Sequence, residues 1–170
     1  YILSLEQKLE AAGSIEERKA LLREIARVYD EQLQNPDEAQ GALLRALELE
    51  PEAETLGVLV ALQRRQGQHA AAIDTLARMR DLAPTAEERA RVQQEIAQAY
   101  ERDLSDDEAA IEAWRAALEL DPGFGAALAA LEQLYVKLDR PAELLAVYER
   151  QIELAEDPRE RVRILFKCSG

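Results

Sequence analysis

Apolar residues recur along the chain at the spacing of amphipathic α-helices. In segment 15–33, Leu22, Ile25, Ala26 and Tyr29 follow one another at intervals that place them on one helix face. No stretch alternates apolar and polar residues as a half-buried β-strand does. The pattern predicts ten helices, over residues 1–12, 15–33, 36–49, 52–66, 69–82, 86–104, 106–120, 124–138, 141–155 and 159–168.

Proline and short polar residues support these boundaries. All six prolines stand between or at the ends of predicted helices, where the missing N–H group is tolerated. Five short polar residues also stand three positions before a glutamate, which is the spacing of an N-terminal capping box. The pairs are Ser14 and Glu17, Asn35 and Glu38, Thr85 and Glu88, Ser105 and Glu108, and Asp157 and Glu160.

The sequence repeats internally. The run from Ala46 to Pro51 recurs as Ala117 to Pro122 with one Glu replaced by Asp, a separation of 71 residues, and Tyr29 recurs as Tyr100. This long unit divides into two helical hairpins of similar length. A single hairpin cannot bury its apolar face alone, so neighbouring hairpins are expected to stack.

The hairpins resemble tetratricopeptide repeats, whose pattern places large, small and aromatic residues at fixed positions before a final Pro. Those positions hold, in the four units, Leu22, Ile25, Ala26, Tyr29, Ala39, Leu43, Ala46 and Pro51; Leu56, Leu59, Val60, Gln63, Ala72, Leu76, Met79 and Pro84; Gln93, Ile96, Ala97, Tyr100, Ala110, Trp114, Ala117 and Pro122; and Leu128, Leu131, Glu132, Tyr135, Leu144, Tyr148 and Gln151. The family's small Gly never appears, and the first and third units carry one extra residue before Ala39 and Ala110. Glu132 and Leu144 make the fourth unit degenerate.

The resemblance implies an all-α fold, a right-handed superhelix (α-solenoid) of stacked antiparallel helix hairpins. Its repeats are predicted at 15–51, 52–84, 85–122 and 123–157, as one continuous domain. Residues 1–14 are predicted to be the second helix of a preceding repeat, and 158–170 the first helix of a following one. Apolar stripes at both ends, with Leu5 and Leu9 on one helix and Val162, Leu165 and Phe166 on the other, predict end-to-end self-association.

Charge and composition exclude several functions. The 34 Asp and Glu outnumber the 21 Lys and Arg, for a net charge of −13 in 170 residues, so phosphate backbones are repelled and nucleic acid is not an expected partner. RNA reading by helical repeats would need a far more basic groove. No uncharged run reaches the length of a membrane helix, so membrane insertion is not expected. We expect a soluble bacterial protein of the cytoplasm or periplasm, where its single Cys forms no disulfide framework.

Candidate chemistry is sparse. His69 is the only histidine and stands at a predicted helix start, while Cys168 occupies an apolar repeat position. Asp103, Ser105 and Asp107 open like a calcium loop, but Glu108 replaces the required Gly. The sequence therefore predicts no catalytic, cofactor-binding or metal-binding residue.

The concave surface created by stacking is the candidate site. Sixteen positions next to the packing stripe of the first helices carry four Arg against three acidic residues, although the chain is strongly acidic. One interpretation is a mixed groove with acid placed elsewhere for solubility. The other is a groove for an extended or helical partner segment whose carboxylates meet the arginines. Its predicted residues are Arg23, Arg27, Gly57, Ala61, Arg64, Arg91, Gln94, Gln98 and Gln133.

The predicted function is a protein–protein interaction scaffold without catalytic activity or cofactor. The alternative is an accessory or regulatory region of a larger enzyme whose catalytic domain lies outside these residues. A recognisable catalytic domain attached to the array would favour the alternative.

Overall fold

The computed structural model describes residues 1–168, and all regular structure in that range is helical. The helices are α1 (Ile2–Ala11), α2 (Ile15–Arg27), a π-helical turn (Val28–Gln32), α3 (Pro36–Leu49), α4 (Ala53–Arg65), α5 (His69–Leu82), α6 (Ala86–Arg102), α7 (Asp107–Leu120), α8 (Gly125–Lys137), α9 (Pro141–Leu154) and α10 (Pro158–Cys168). The predicted all-α fold class is confirmed. The predicted helix bounds agree to within two residues, with the π-helical turn completing the second helix.

The chain forms two compact units, which divide between Ala83 and Pro84. In the first unit each helix from α1 to α5 packs against the next. Short connections reverse the chain at each step, so consecutive helices are antiparallel. The core contains Ile25, Leu43, Leu56 and Leu59, all of them almost fully buried.

The second unit repeats this arrangement with α6 to α10. Alanines such as Ala110 and Ala117 are fully buried, and Trp114 lies beside them with 2% of its surface exposed. Small side chains let the helix backbones approach closely, while the indole fills the remaining space. Tyr148 and Ile164 hold α9 and α10 together in a smaller cluster.

The end helices differ from the sequence-based expectation in one respect. Leu5 and Leu9 are only 4% and 9% exposed, because they pack into the core of the first unit. They were predicted to form an exposed stripe, and that prediction is wrong. Val162, Leu165 and Phe166 on α10 are exposed as predicted. End-to-end association through that face stays a prediction.

Two of the predicted helix caps form with the expected geometry, and a third forms a full capping box. The hydroxyl of Ser14 accepts from the Glu17 N–H at 3.2 Å, and the Asn35 side chain accepts from the Glu38 N–H at 3.4 Å. At α6 the box is complete, because Glu88 also reaches back to the Thr85 N–H. These bonds satisfy amide groups that the first turn of a helix leaves unpaired.

One predicted cap is displaced by one residue, and another predicted capping residue bonds a different amide. The cap of α7 is Asp106, which accepts from the Ala109 N–H at 3.0 Å, rather than Ser105. Ser105 has φ 53°, whereas a capping residue usually has extended backbone. At α10 the Asp157 carboxylate accepts from the Arg159 N–H at 2.8 Å, one residue before the predicted Glu160.

The extra residue of the first repeat is absorbed in a wide helical turn. After Arg27 the chain continues as the π-helical turn, in which the Leu33 N–H donates to the Val28 carbonyl at 3.1 Å. The Asn35 N–H then donates to the Tyr29 carbonyl at 2.8 Å, across six residues. Since an α-helix spans four residues per bond, this wider closure accommodates the insertion without disturbing α3.

After α6, the third repeat forms the same two hydrogen bonds, one across five residues and one across six. Leu104 N–H donates to the Ala99 carbonyl at 3.2 Å, and Asp106 N–H donates to the Tyr100 carbonyl at 2.9 Å. In the second and fourth repeats, which lack the extra residue, a hydrogen bond across five residues replaces the bond across six. The bonds are Gln68 N–H to Gln63 carbonyl and Arg140 N–H to Tyr135 carbonyl, each at 2.9 Å.

All four turns then pass through one residue with positive φ. These residues are Gln34 (51°), Gly67 (70°), Ser105 (53°) and Asp139 (53°). A left-handed residue after a helix directs the chain back along it, and only Gly adopts this conformation without steric cost. Three of the four hairpins therefore use a conformation that their own residue disfavours.

Candidate partner-binding groove

A cavity of about 470 Å³ lies in the first unit between α2 and α4, the first helices of two consecutive hairpins. Helix α3 provides part of its floor. The lining residues include Ala20, Arg23, Arg27 and Asp30 on the α2 side, Ala39 and Leu43 on α3, and Glu54, Val58, Ala61 and Arg65 on α4. We call this cavity the α2–α4 groove.

Side-chain size and helical spacing explain why the groove is open. Ala20 and Ala61 are exposed and short, so they leave space between the two helices. Ala39 and Leu43 are buried beneath them and make the floor apolar. The charged residues stand at intervals of three to four along α2 and form the rim.

Arg23 is engaged by carboxylates of this chain. Its Nη1 lies 2.9 Å from the Glu52 carboxylate and 2.5 Å from the Glu54 carboxylate, and the Arg23 side chain is 23% exposed. Both glutamates belong to the start of α4 or the residue before it. Arg23 therefore joins α2 to α4 at one end of the groove.

Arg27 and Arg65 are also paired within the chain. Arg27 Nη2 lies 2.7 Å from the Glu24 carboxylate, and this hydrogen bond lowers the pKa of Glu24 and raises the pKa of Arg27. Arg65 pairs with Asp30 across the groove. The rim thus carries both signs of charge, and its arginines are paired with carboxylates of this chain.

A buried lysine supports the same end of the groove. Lys19 is 3% exposed, and its Nζ lies 2.7 Å from Glu16, 2.9 Å from Glu50 and 3.0 Å from Glu52. The hydrogen bonds that Lys19 donates to these three carboxylates raise its pKa. The ammonium group thereby holds the α3–α4 connection, and with it the start of α4, against α2.

Glu52 is the shared acceptor of this cluster. Burial by itself would raise the pKa of Glu52, but hydrogen bonds from Thr55 and Lys19 and the charge of Arg23 outweigh it and lower the pKa. Sequence reasoning did not identify this cluster. A signal was present, since the other repeats hold a small or apolar residue at the position of Lys19.

Five of the predicted groove residues lie in the first unit. Arg23, Arg27 and Ala61 line the α2–α4 groove, whereas Gly57 and Arg64 lie on α4 but are not among its lining residues. Val58 and Arg65 line it instead. The lining residues of α4 thus include the series Glu54, Val58, Ala61 and Arg65, and the role of Gly57 and Arg64 in binding stays a prediction.

The remaining predicted residues lie in the second unit. Arg91 on α6 is exposed, and its Nη2 lies 2.6 Å from Glu87 one helical turn earlier. Gln94 and Gln98 are half-buried on α6, and Gln133 is exposed on α8. Their role in binding stays a prediction.

The polar residues at repeat core positions have specific partners. Gln63 Oε1 accepts from the Thr75 hydroxyl at 2.8 Å, and Gln93 Nε2 donates to the Ala113 carbonyl at 3.2 Å. In the degenerate fourth repeat, Glu132 lies 2.7 Å from Lys167 Nζ and accepts from Gln151 Nε2 at 3.0 Å.

Burial acts to raise the pKa of Glu132, but the hydrogen bonds from Lys167 and Gln151 outweigh it and lower the pKa. The same contact raises the pKa of Lys167. Lys167 Nζ also lies 5.9 Å from the centre of the Tyr148 ring, within the range of a cation–π contact. The departure from the repeat pattern is thus compensated by residues of α9 and α10.

Within residues 1–168, no three His, Cys, Asp or Glu side chains are grouped as they would be around a metal ion. In the same range, no helix combines the length and the apolar character needed to cross a membrane. His69 begins α5 and is half-buried. The side chain of Cys168, predicted to be buried, lies outside the described residues.

Comparison with known proteins finds the repeat in two segments of the second unit. Two tetratricopeptide repeat models match the chain, over residues 90–124 and 127–162. These two segments therefore carry tetratricopeptide repeats. No curated protein matches the sequence.

Solved structures share the fold across both units. A crystal structure of MamA is 19% identical, with 99% of this chain and 88% of that chain covered and a TM-score of 0.57. A tetratricopeptide repeat protein from Parabacteroides merdae ATCC 43184 is 21% identical, with 89% and 60% covered and a TM-score of 0.57. YrrB, described as a TPR protein with an unusual peptide-binding site, is 16% identical, with 97% and 85% covered and a TM-score of 0.51.

Proposed function

We propose that the chain is a protein-interaction scaffold that binds a segment of a partner protein in the α2–α4 groove and performs no chemistry itself. The observation that carries this proposal is the open cavity of about 470 Å³ between the first helices of two consecutive hairpins. Repeat proteins of this kind use extended concave surfaces for binding. An apolar floor under a polar rim is the usual composition of a site that holds a ligand.

The comparisons support the class of function at a coarser level. The chain shares its fold with YrrB, whose description names a peptide-binding site. We infer an equivalent kind of ligand here, a protein or peptide segment. In the second unit taken by itself, Arg91, Gln94, Gln98 and Gln133 are proposed as partner-binding residues.

Charge reversal at Arg23 is a poor test of this proposal. Because Arg23 is bonded to Glu52 and Glu54, an Arg23→Glu change would place three carboxylates together and destabilise the unit. Replacing Arg23 and Arg27 together would therefore lower stability as well as binding. Val58 is a better probe, since it lines the groove and is 45% exposed.

The experiment is a selection from a displayed library of random peptides against the whole 170-residue chain. Val58→Glu should abolish capture of the enriched peptides, because it places a charge on the groove wall. Leu44→Glu is the matched control, since Leu44 is an exposed aliphatic residue on α3 outside the groove lining. Enriched peptides that bind Val58→Glu as tightly as the unchanged chain, or a library without enriched peptides, would contradict the proposal.

A further inference from the structure

We infer that the α2–α4 groove recognises a partner segment by a large apolar side chain flanked by basic or uncharged residues, rather than by carboxylates. This inference rests on the proposed function. It differs from the sequence-based expectation of an acidic segment bound by arginines.

The first argument is that the groove arginines are already paired. Arg23 bonds Glu52 and Glu54, Arg27 bonds Glu24, and Arg65 bonds Asp30. An acidic ligand would have to displace these carboxylates and would leave them without their cations. Exchanging one partly exposed ion pair for another contributes little to affinity.

The second argument is the sign of the surrounding charge. Three arginines line the groove, against four carboxylates from Glu24, Asp30, Glu31 and Glu54. The whole chain carries a net charge of −13. An acidic segment is therefore repelled on approach, whereas a basic segment is attracted.

The third argument is that the floor and one wall of the groove are apolar. Ala26, Ala39, Leu43 and Leu62 contribute to the lining with no charge, and Val58 and Ala61 continue this apolar surface up the α4 side. Val58 is 45% exposed, so water contacts an aliphatic side chain that a ligand would cover. A cavity of about 470 Å³ falls within the size range of pockets that enclose an organic ligand.

These three features together specify the occupant. A large aliphatic or aromatic side chain displaces water from Val58 and the floor, and burial of that side chain provides most of the affinity. Lysine or arginine residues beside it meet the unbalanced acidic charge of the rim. The partner is thus a basic-flanked apolar segment of a second protein.

The test uses synthetic peptides made in matched pairs, with one apolar anchor from the selected sequences flanked either by Lys or by Glu. Affinity is measured by calorimetry with the whole chain at low and high salt. The Lys-flanked peptide should bind more tightly, and the difference should shrink as salt screens the rim.

A cavity-filling variant tests the anchor. Ala61→Phe should lower affinity by about tenfold or more, because the new ring occupies the space of the ligand side chain. Ala70→Phe is the matched control, since Ala70 is an exposed alanine on α5 outside the groove lining. This control should bind as the unchanged chain does.

Two results would overturn the inference in distinguishable ways. If the selected peptides are acidic, and Arg27→Gln rather than Ala61→Phe abolishes their binding, the apolar anchor is wrong while the groove remains the binding site. If neither Ala61→Phe nor Val58→Glu changes the affinity, binding occurs elsewhere and the proposed function fails with the inference.

Discussion

At the scale of single residues, the unusual polar side chains of the core are held by equally specific partners. Gln63 occupies a position where three other repeats have Tyr, and Thr75 opposite it supplies a hydroxyl in place of an apolar contact. Both are about 95% buried. A buried amide without its partner is costly, so these two residues act as a pair.

Thr75→Val should destabilise the protein by about 1–3 kcal/mol, because it leaves the buried Gln63 oxygen without a donor. Gln63→Met should cost less, since the Thr75 hydroxyl also lies 2.9 Å from the Ala71 carbonyl. Gln63→Met combined with Thr75→Val should recover most of the loss, and urea unfolding measures all three. If the destabilisation of the double variant equals the sum of the two single destabilisations, Gln63 and Thr75 do not act as a pair.

A second prediction concerns pH and Glu132. Its pKa is lowered in the folded state by Lys167 and Gln151, so its contribution to stability is present above the unfolded-state pKa of about 4.3. That contribution is lost as the pH falls through the lower folded-state pKa. Glu132→Gln should therefore destabilise the protein at pH 6, by about 1 kcal/mol at most because Lys167 remains partly exposed, and by less under acidic conditions.

Urea unfolding at a series of pH values measures how the destabilisation by Glu132→Gln changes with pH. In a Lys167→Gln background, the same Glu132→Gln change should lose most of its pH dependence, because the cation that favours ionised Glu132 is absent. A destabilisation that grows as the pH falls would show that the pKa of Glu132 is raised by burial instead.

The sequence predicted the apolar packing residues but not the partners of the buried polar and charged residues. Trp114, Leu22 and Ile25 were predicted as core because each lies on a local helical stripe, and all three are buried. The partner of Glu132 is Lys167, 35 residues further along the chain, and no local pattern connects them. Lys19 was likewise missed, since two of its three carboxylate partners, Glu50 and Glu52, follow a different helix.

At the scale of elements, the helices were predictable because their signals are local. Prolines, capping residues and apolar spacing all lie within a few residues of the boundary that they determine. The π-helical turn was foreseen only as one extra residue. On α4 the cavity is lined by Val58 and Arg65 rather than by Gly57 and Arg64, because packing against neighbouring helices sets the rotation of a helix and periodicity alone does not.

Replacing glycine by alanine should change stability in opposite directions at two positions, because only one of the two glycines is a positive-φ residue that ends a first helix. Gly67→Ala should destabilise by about 1 kcal/mol, because Gly67 has φ 70° and its added Cβ would meet only His69 Nε2 at 4.0 Å, so the cost is conformational. Gly41→Ala is the matched control within helix α3, with nothing within 4 Å of the added Cβ. It should stabilise by about 0.5–1 kcal/mol.

Thermal and urea unfolding of both variants provide the measurement. If Gly67→Ala stabilises the protein as Gly41→Ala does, the left-handed closure of this hairpin is wrong.

At the scale of the whole molecule, the acidic excess of the chain is only weakly expressed in the α2–α4 groove. The chain carries a net charge of −13, whereas three arginines face four carboxylates among the residues that line the groove. The sequence predicted a groove from the repeats. It could not predict that Arg23 is paired, because Glu52 and Glu54 reach Arg23 only after the fold places the start of α4 beside α2.

The most direct test of the account is nuclear magnetic resonance mapping of backbone amide shifts as a selected peptide is titrated into the isotope-labelled chain. Binding in the α2–α4 groove predicts the largest shifts at Arg27, Val58 and Ala61, with little change at Leu44 and Ala70. Shifts concentrated around Leu44 and Ala70, outside the groove lining, with Val58 and Ala61 unmoved, would contradict it.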